Sequence, residues 1–535
     1  MRNKVIISAA LMLACAGAFA QNLNPVVEVT NIYAREATGI EKPSQLLQLP
    51  DSVLRFNLDM DYSVQNTPYQ GAYEFKPYLV QLKPQPRTSD EGTLFVRLGA
   101  GYGLHPEATV IWTPVKTSHF RLNVFGDHHS YIGQYRIIAE KDKRLEPNGT
   151  FRDGVSMRSA IGADMLYTWA GGSVSADVQY KNIYATDVSQ GAFSNNVWQG
   201  NVRLQSAPAN AFQYSFGTRV NYISVAGFDE FHNVTNGSVG LHIGNHRFIL
   251  GLSEETVVQP DGYVGSVGIL PTYLLNVGDF SMRLGIKGSF LFRSADDFCP
   301  QSSGYVFPNV DISYNVIPDC MALFAFATGG DNIISYDKLL TENPFMRGFQ
   351  WHTDNMVTRV NAGIGMRGNV WESFHYDLKI GYSWNDNAWT WGMTSAQEPM
   401  MGYASPLHTV YGLLDAGWKN ENLDIGVNVY YGYTPIPDLK GQILFAPAPL
   451  KASAYAFYNW GGRIKAGITA QGRSDMPGPV VLPGYVDLGV EAKLQMTRTL
   501  GLWIKGGNLL NQTIQYVPFY AEKGIYFTVG ATLTL

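Results

Sequence analysis

Residues 374–385 read Phe374-His375-Tyr376-Asp377-Leu378-Lys379-Ile380-Gly381-Tyr382-Ser383-Trp384-Asn385. Every even position is apolar or aromatic, and every odd position is polar, charged or glycine. A period of two sends successive side chains to opposite faces of a β-strand, one apolar and one wet. The run is too long for a soluble sandwich, whose strands cluster near about five or six residues. It is long enough to cross a bilayer, which takes about 9–11 residues in a tilted strand.

The same alternation recurs along the chain. It holds Phe280, Met282, Leu284 and Ile286, then Leu423, Ile425, Val427, Val429 and Tyr431, and later Val486, Leu488, Val490, Ala492 and Leu494. Tight turns separate some runs, at Ala170-Gly171-Gly172, Ser206-Ala207-Pro208, Gly244-Asn245-His246, Gly278-Asp279 and Gly461-Gly462. Long segments separate others, over 128–154, 331–353, 387–406 and 472–484. Trp169, Trp384, Trp389, Trp391, Trp418 and Trp460 stand at strand ends, where an interfacial girdle would put them. Short turns on one side and long loops on the other predict an all-β, antiparallel, up-and-down transmembrane barrel over residues 93–535. Counting the runs gives about twenty-two strands, with twenty as the alternative; an even number leaves both barrel ends on the periplasmic side.

Composition agrees and excludes other classes. Charged residues make up 16% of the chain, with Gly 55, Tyr 31 and Cys 3. Lys+Arg 39 against Asp+Glu 44 leaves a net charge of −5, without the basic excess of a nucleic-acid binder. So few cysteines exclude a disulfide scaffold. Cys299 and Cys320 fall at opposite ends of one expected strand, too far apart to bridge.

The N-terminus reads as an address. Arg2 and Lys4 precede the apolar run Val5–Ala14, and Ala18-Phe19-Ala20 is a cleavage site, so residues 1–20 read as a signal peptide. A cut before Cys15, as in a lipoprotein, is the alternative. The expected destination is the outer membrane of a Gram-negative bacterium, where a barrel is embedded in lipid. Residues 21–92 lie outside the barrel pattern. Val26-Val27-Glu28-Val29-Thr30 is a β-branched, alternating pentad that can add to a partner's sheet edge, or serve as an ordinary leading strand. Pro68, Pro77, Pro84 and Pro86 keep the remainder extended.

Alternation places Arg97, Arg219, Arg283, Lys287, Arg359, Arg367, Asp377, Lys379, Asp424, Lys465, Asp487 and Glu491 on the inward face. Their mixed signs suit solvated ladders along a wet wall, with solute selection as the alternative. Asp127-His128-His129 offers metal-ligating side chains, but neighbouring strand residues face opposite sides, so it reads as a rim pair with metal binding as the alternative. No compact Ser/His/Asp constellation is present, so the chain is expected to be no enzyme, and to need no metal or cofactor.

A barrel of this size resembles the TonB-dependent outer-membrane transporters. The C-terminal run Trp503-Ile504-Lys505-Gly506-Gly507-Asn508-Leu509-Leu510-Asn511, followed by a closing strand 524–535, is similar to that family's penultimate strand. Tyr336-Asp337-Lys338-Leu339-Leu340-Thr341-Glu342-Asn343-Pro344-Phe345 resembles a long outer loop of members from Bacteroidetes-type bacteria. The resemblance implies an energised transport channel, with Val26–Thr30 as a TonB box pairing with a TonB-type coupling protein. Residues 21–92 are shorter than the family's plug, so they read as a reduced plug or a partner-binding segment. Two functions stay open: uptake of a solute, active or porin-like, or a scaffold holding a lipoprotein or periplasmic subunit. If 21–92 line the lumen, their deletion is expected to raise conductance several-fold.

Overall fold

A computed structural model describes residues 93–535 apart from 103, 188–190, 208–209, 226–227, 295–301, 319, 343–352, 371–372, 394–398, 405 and 435–443. Val26–Thr30 and Cys299 therefore lie outside the described residues. The chain runs β1 (Leu94–Gly101), β2 (Glu107–Lys116), β3 (Phe120–Lys141), β4 (Arg144–Trp169), β5 (Gly172–Asp187), β6 (Gly191–Ser206), β7 (Phe212–Val225) and β8 (Phe228–Ile243). Then come β9 (His246–Gln259), β10 (Gly262–Val277), β11 (Phe280–Arg293), β12 (Ser302–Ile317) and β13 (Met321–Ile333), a short helix α1 (Tyr336–Glu342), β14 (Asn355–Val370) and β15 (Phe374–Asp386). The remainder is β16 (Ala388–Met393), β17 (Pro399–Ala404), β18 (Leu407–Lys419), β19 (Leu423–Tyr433), β20 (Leu450–Trp460), β21 (Ile464–Arg473), β22 (Tyr485–Gln495), β23 (Leu500–Gly507) and β24 (Tyr526–Thr534).

All but β16 and β17 form one 22-stranded antiparallel sheet. It closes where β1 pairs β24, from Phe95 opposite Thr534 to Gly101 opposite Thr528. Closure pairs every strand edge, which a hydrocarbon surround demands. The even side chains of β15 face out: Ile380 is 59% exposed, and Leu378, Tyr382 and Trp384 are also exposed. Exposed Ile286, Ile364, Val486 and Ile468 continue the same apolar belt on other strands. An apolar outside around a charged inside makes this an outer-membrane β-barrel. Connectors on the rim shared with both barrel ends, the periplasmic rim, are two to five residues long. Cys320 lies on that rim, beside the start of β13.

Two expected loops are built differently. Segment 128–154 is strand: β3 and β4 stay in register up to Lys141 opposite Arg144. Asp142 and Lys143 make the turn with φ of 48° and 60°, the left-handed pair that fits the twist of a two-residue hairpin. The expected loop 387–406 carries strands of its own: β15 ends at Asp386, and a positive φ at Asn387 turns the chain into the separate hairpin β16–β17. Trp384 and Trp460 face outward at strand ends, whereas Trp391 is buried inside the outer mouth and Trp389 packs there too. Those two tryptophans do not belong to a girdle.

Candidate functional site

The lumen has two storeys, and the period-two pattern explains the lower one. Arg219, Arg283, Lys287, Arg367, Asp377, Lys379, Asp424, Lys465, Asp487 and Glu491 occupy the face opposite the exposed apolar side chains of their strands. Arg283 stands in register with Asp311, and Arg367 with Asp377. The Lys287 ammonium is 2.7 Å from Asp331, which also accepts the Ser289 hydroxyl at 2.8 Å. Lys493 reaches Glu491 at 3.0 Å, Lys419 reaches Asp424 at 4.0 Å, and Lys465 lies over the Phe457 ring at 5.3 Å. Asp487 accepts the Asn508 N–H at 2.9 Å. Arg97 sits 3.9 Å from the Trp503 ring centre and 4.0 Å from Glu107.

Arg359 lies where the register of its strand shifts. It falls at a bulge between Thr358 and Val360, half-exposed, paired with Asp386 at 2.5 Å and stacked on Tyr305 at 4.5 Å. The extra residue of a bulge breaks the strict alternation on which the inward assignment rested. Around Asp127-His128-His129, Asp127 and His129 approach within 3.2 Å, while His128 turns to Ser159 at 2.8 Å. Among the described residues no group of three or more His, Cys, Asp or Glu side chains is placed to hold a metal ion.

The upper storey is apolar and made largely of loops. Ile183, Val197, Ile223 and Phe228 on the outer ends of β5–β8 pack with Tyr336, Leu339 and Leu340 of α1. The same cluster holds Trp391 and Met401 of the β16–β17 hairpin, then Phe445, Val480, Leu482, Val517 and Ala521 from later outer connectors. Backbone pairs tie these connectors together. Phe445 N–H donates to the Trp391 carbonyl at 2.7 Å, Ala446 to Pro477 at 2.6 Å, and Leu145 at the β3–β4 tip to Val481 at 3.0 Å. Arg473 donates to the Gln515 carbonyl at 2.7 Å, and the Gln515 amide to Leu145 at 2.9 Å. In the 474–484 connector, the Gly484 N–H and the Arg144 guanidinium hold the Asp475 carboxyl below the usual carboxylate range.

Strand alternation does not reveal this apolar core, because its residues lie on connectors and strand ends distant in sequence. The signal was present in Tyr516-Val517-Pro518-Phe519-Tyr520, an apolar cluster with no strand alternation. The C-terminal motif is also displaced: β23 ends at Gly507, and Asn508, Leu509, Leu510 and Asn511 lie beyond it. Asn508 and Asn511 take φ of 47° and 49°, a conformation asparagine tolerates but a strand forbids. Buried Asn508 then staples the last outer connector, donating to the Gln512 carbonyl at 2.9 Å and to that of Lys523 at 3.2 Å.

No family model matches the sequence, and no curated protein matches it either. Solved structures do. The copper transporter OprC superposes with a TM-score of 0.63 at 10% identity, covering 83% of this chain and 80% of that one. The FrpB iron transporter from Neisseria meningitidis (F3-3 variant) gives 0.62 at 11%, covering 84% and 82%. The siderophore receptor PiuA from Acinetobacter baumannii gives 0.58 at 9%, covering 84% and 82%. At such identities the likeness establishes the fold, a 22-stranded outer-membrane barrel shared with metal transporters and siderophore receptors.

Proposed function

We propose that this barrel is an outer-membrane transport channel of TonB-dependent type, in which residues 21–92 act as a shortened plug lining the lower lumen. The observation that carries this reading is the charged wall. Buried Arg219 Nε, Arg247 Nε, Asp377 Oδ1 and Asp424 Oδ1 have no hydrogen-bond partner among the described residues. Buried polar groups need partners, from water or from a polar occupant. A wet wall of alternating sign suits a hydrophilic solute, and an extended, proline-rich segment can lie along it. The copper, iron and siderophore cargoes of the superposed proteins make a metal or metal chelate the first solute class to test. A second reading, a scaffold that holds a lipoprotein or periplasmic subunit, draws on the apolar cluster packed across the outer connectors.

The test is a photo-activated cross-linker installed at Lys379 in cells. A lumenal plug should yield an intramolecular product joining position 379 to a peptide of 21–92. Cross-links to a separate polypeptide, with none to 21–92, would exclude the plug and support the scaffold.

A further inference from the structure

Helix α1 belongs to the connector between β13 and β14, yet it is held by strands far around the ring. Its first N–H, at Tyr336, donates to Glu230 Oε1 on β8 at 2.7 Å. Near its other end, the Thr341 carbonyl accepts from Arg158 Nη2 on β4 at 2.7 Å. From β4 to β13 is nine steps in a ring of twenty-two strands, almost half the circumference. The helix therefore bridges the mouth instead of resting on its own rim.

The two clamps match the electrostatics of a helix. A carboxylate meets the first amide and a guanidinium meets a C-terminal carbonyl, each favourable to the backbone dipole. Tyr336, Leu339 and Leu340 are fully buried between the clamps. The Tyr336 ring lies 5.0 Å from that of Phe228 on β8. A helix this short has little stability alone, so its place depends on these tertiary contacts. Thr353 Oγ1 donates to the Ile334 carbonyl at 2.9 Å, and Arg293 holds Asp354 at 3.1 Å, anchoring the connector at its base. The segment thus has a fixed root and a clamped crossing piece.

We propose that α1 is the latch of an outer gate, with Glu230 and Arg158 as its two catches. The gate is a permeability barrier separate from residues 21–92. The proposal rests on the transport reading only for its purpose; its geometry is independent. In the latched state the charged chamber faces the periplasm, and the apolar storey above it excludes water and ions. The N-terminal segment and the latch are then two barriers in series, so removing either alone leaves the pore shut. That replaces the expectation that deleting 21–92 by itself raises conductance.

Four forms of the protein, reconstituted in planar bilayers in KCl, test this. They are the full chain, the chain lacking 21–92, the full chain with Arg158→Ala and Glu230→Ala, and the combination. Heat-dependent gel mobility verifies that each barrel is folded. Leu339→Asp with Leu340→Asp, which breaks the apolar contacts and spares the catches, serves as an independent unlatching variant. The combination should conduct at least about ten-fold more than the chain lacking 21–92, as a bare barrel of this width would. Arg158→Lys, which keeps a cationic donor, should stay closed. Full conductance of the chain lacking 21–92 with its catches intact would overturn the latch. So would failure of both unlatching variants to raise conductance in that background. Current through the mouth does not depend on what the cell imports, so the latch can stand even if the transport reading fails.

Discussion

Gly530→Val should prevent the barrel from closing, seen as loss of the compact, heat-sensitive band on gels after refolding into detergent or lipid. Gly530 lies on β24 opposite Gly99 of β1 and opposite Trp503 of β23, in the row that seals the cylinder. A Cβ there would stand 2.1 Å from the Leu98 carbonyl oxygen and 2.5 Å from the Trp503 indole. The indole is itself buried beneath Arg97, which restricts its movement. Overpacking of this kind costs about 1–3 kcal/mol in a core that can relax. Here the clash is partly with backbone at the seam, and relief requires the β1–β24 pairing to open. Gly530→Ala should show the same defect more weakly. Unchanged folding of the valine variant would mean that the seam is not packed as described.

Ile380→Arg should destabilise the barrel by about 2–4 kcal/mol, the cost of a cation on the lipid face at the bilayer midplane. Ile380 is central in β15 and highly exposed, on the belt that meets hydrocarbon. Its neighbour Lys379 faces the wet interior, so Lys379→Arg should cost little. Denaturant titration of folding into vesicles reads both. Greater sensitivity at position 379 would reverse the inside and outside of the cylinder.

The barrel was legible in the sequence because each strand repeats one simple rule. Phe374 to Asn385 shows it in a single line, and the strand total follows from repeating the count. Registers and turns were legible only where their chemistry is local. Gly278-Asp279 announces a tight turn, whereas nothing in Asp142-Lys143 marks the hairpin that extends β3 and β4. The inward ladder is an expectation of strict alternation, and that rule gives no answer at Arg359, where a bulge interrupts it. The outer mouth was not legible as a core. Trp391, Leu340 and Val517 are distant in sequence, and only closure of the ring brings their connectors over one opening. Nothing local in the sequence marks Glu230 and Arg158, since their partner sits on a connector rooted across the barrel.

Whether the barrel is driven as a transporter is decided most directly at Val27. A photo-activated cross-linker placed there, in living cells with an energised inner membrane, reports which protein the N-terminal pentad touches. The account predicts a product with the TonB-type coupling protein, lost when Val29→Pro, added to the cross-linker form, prevents the pentad from adding as a strand to a partner's sheet. Cross-linking only to a lipoprotein or a periplasmic subunit, with none to the coupling protein, would contradict it.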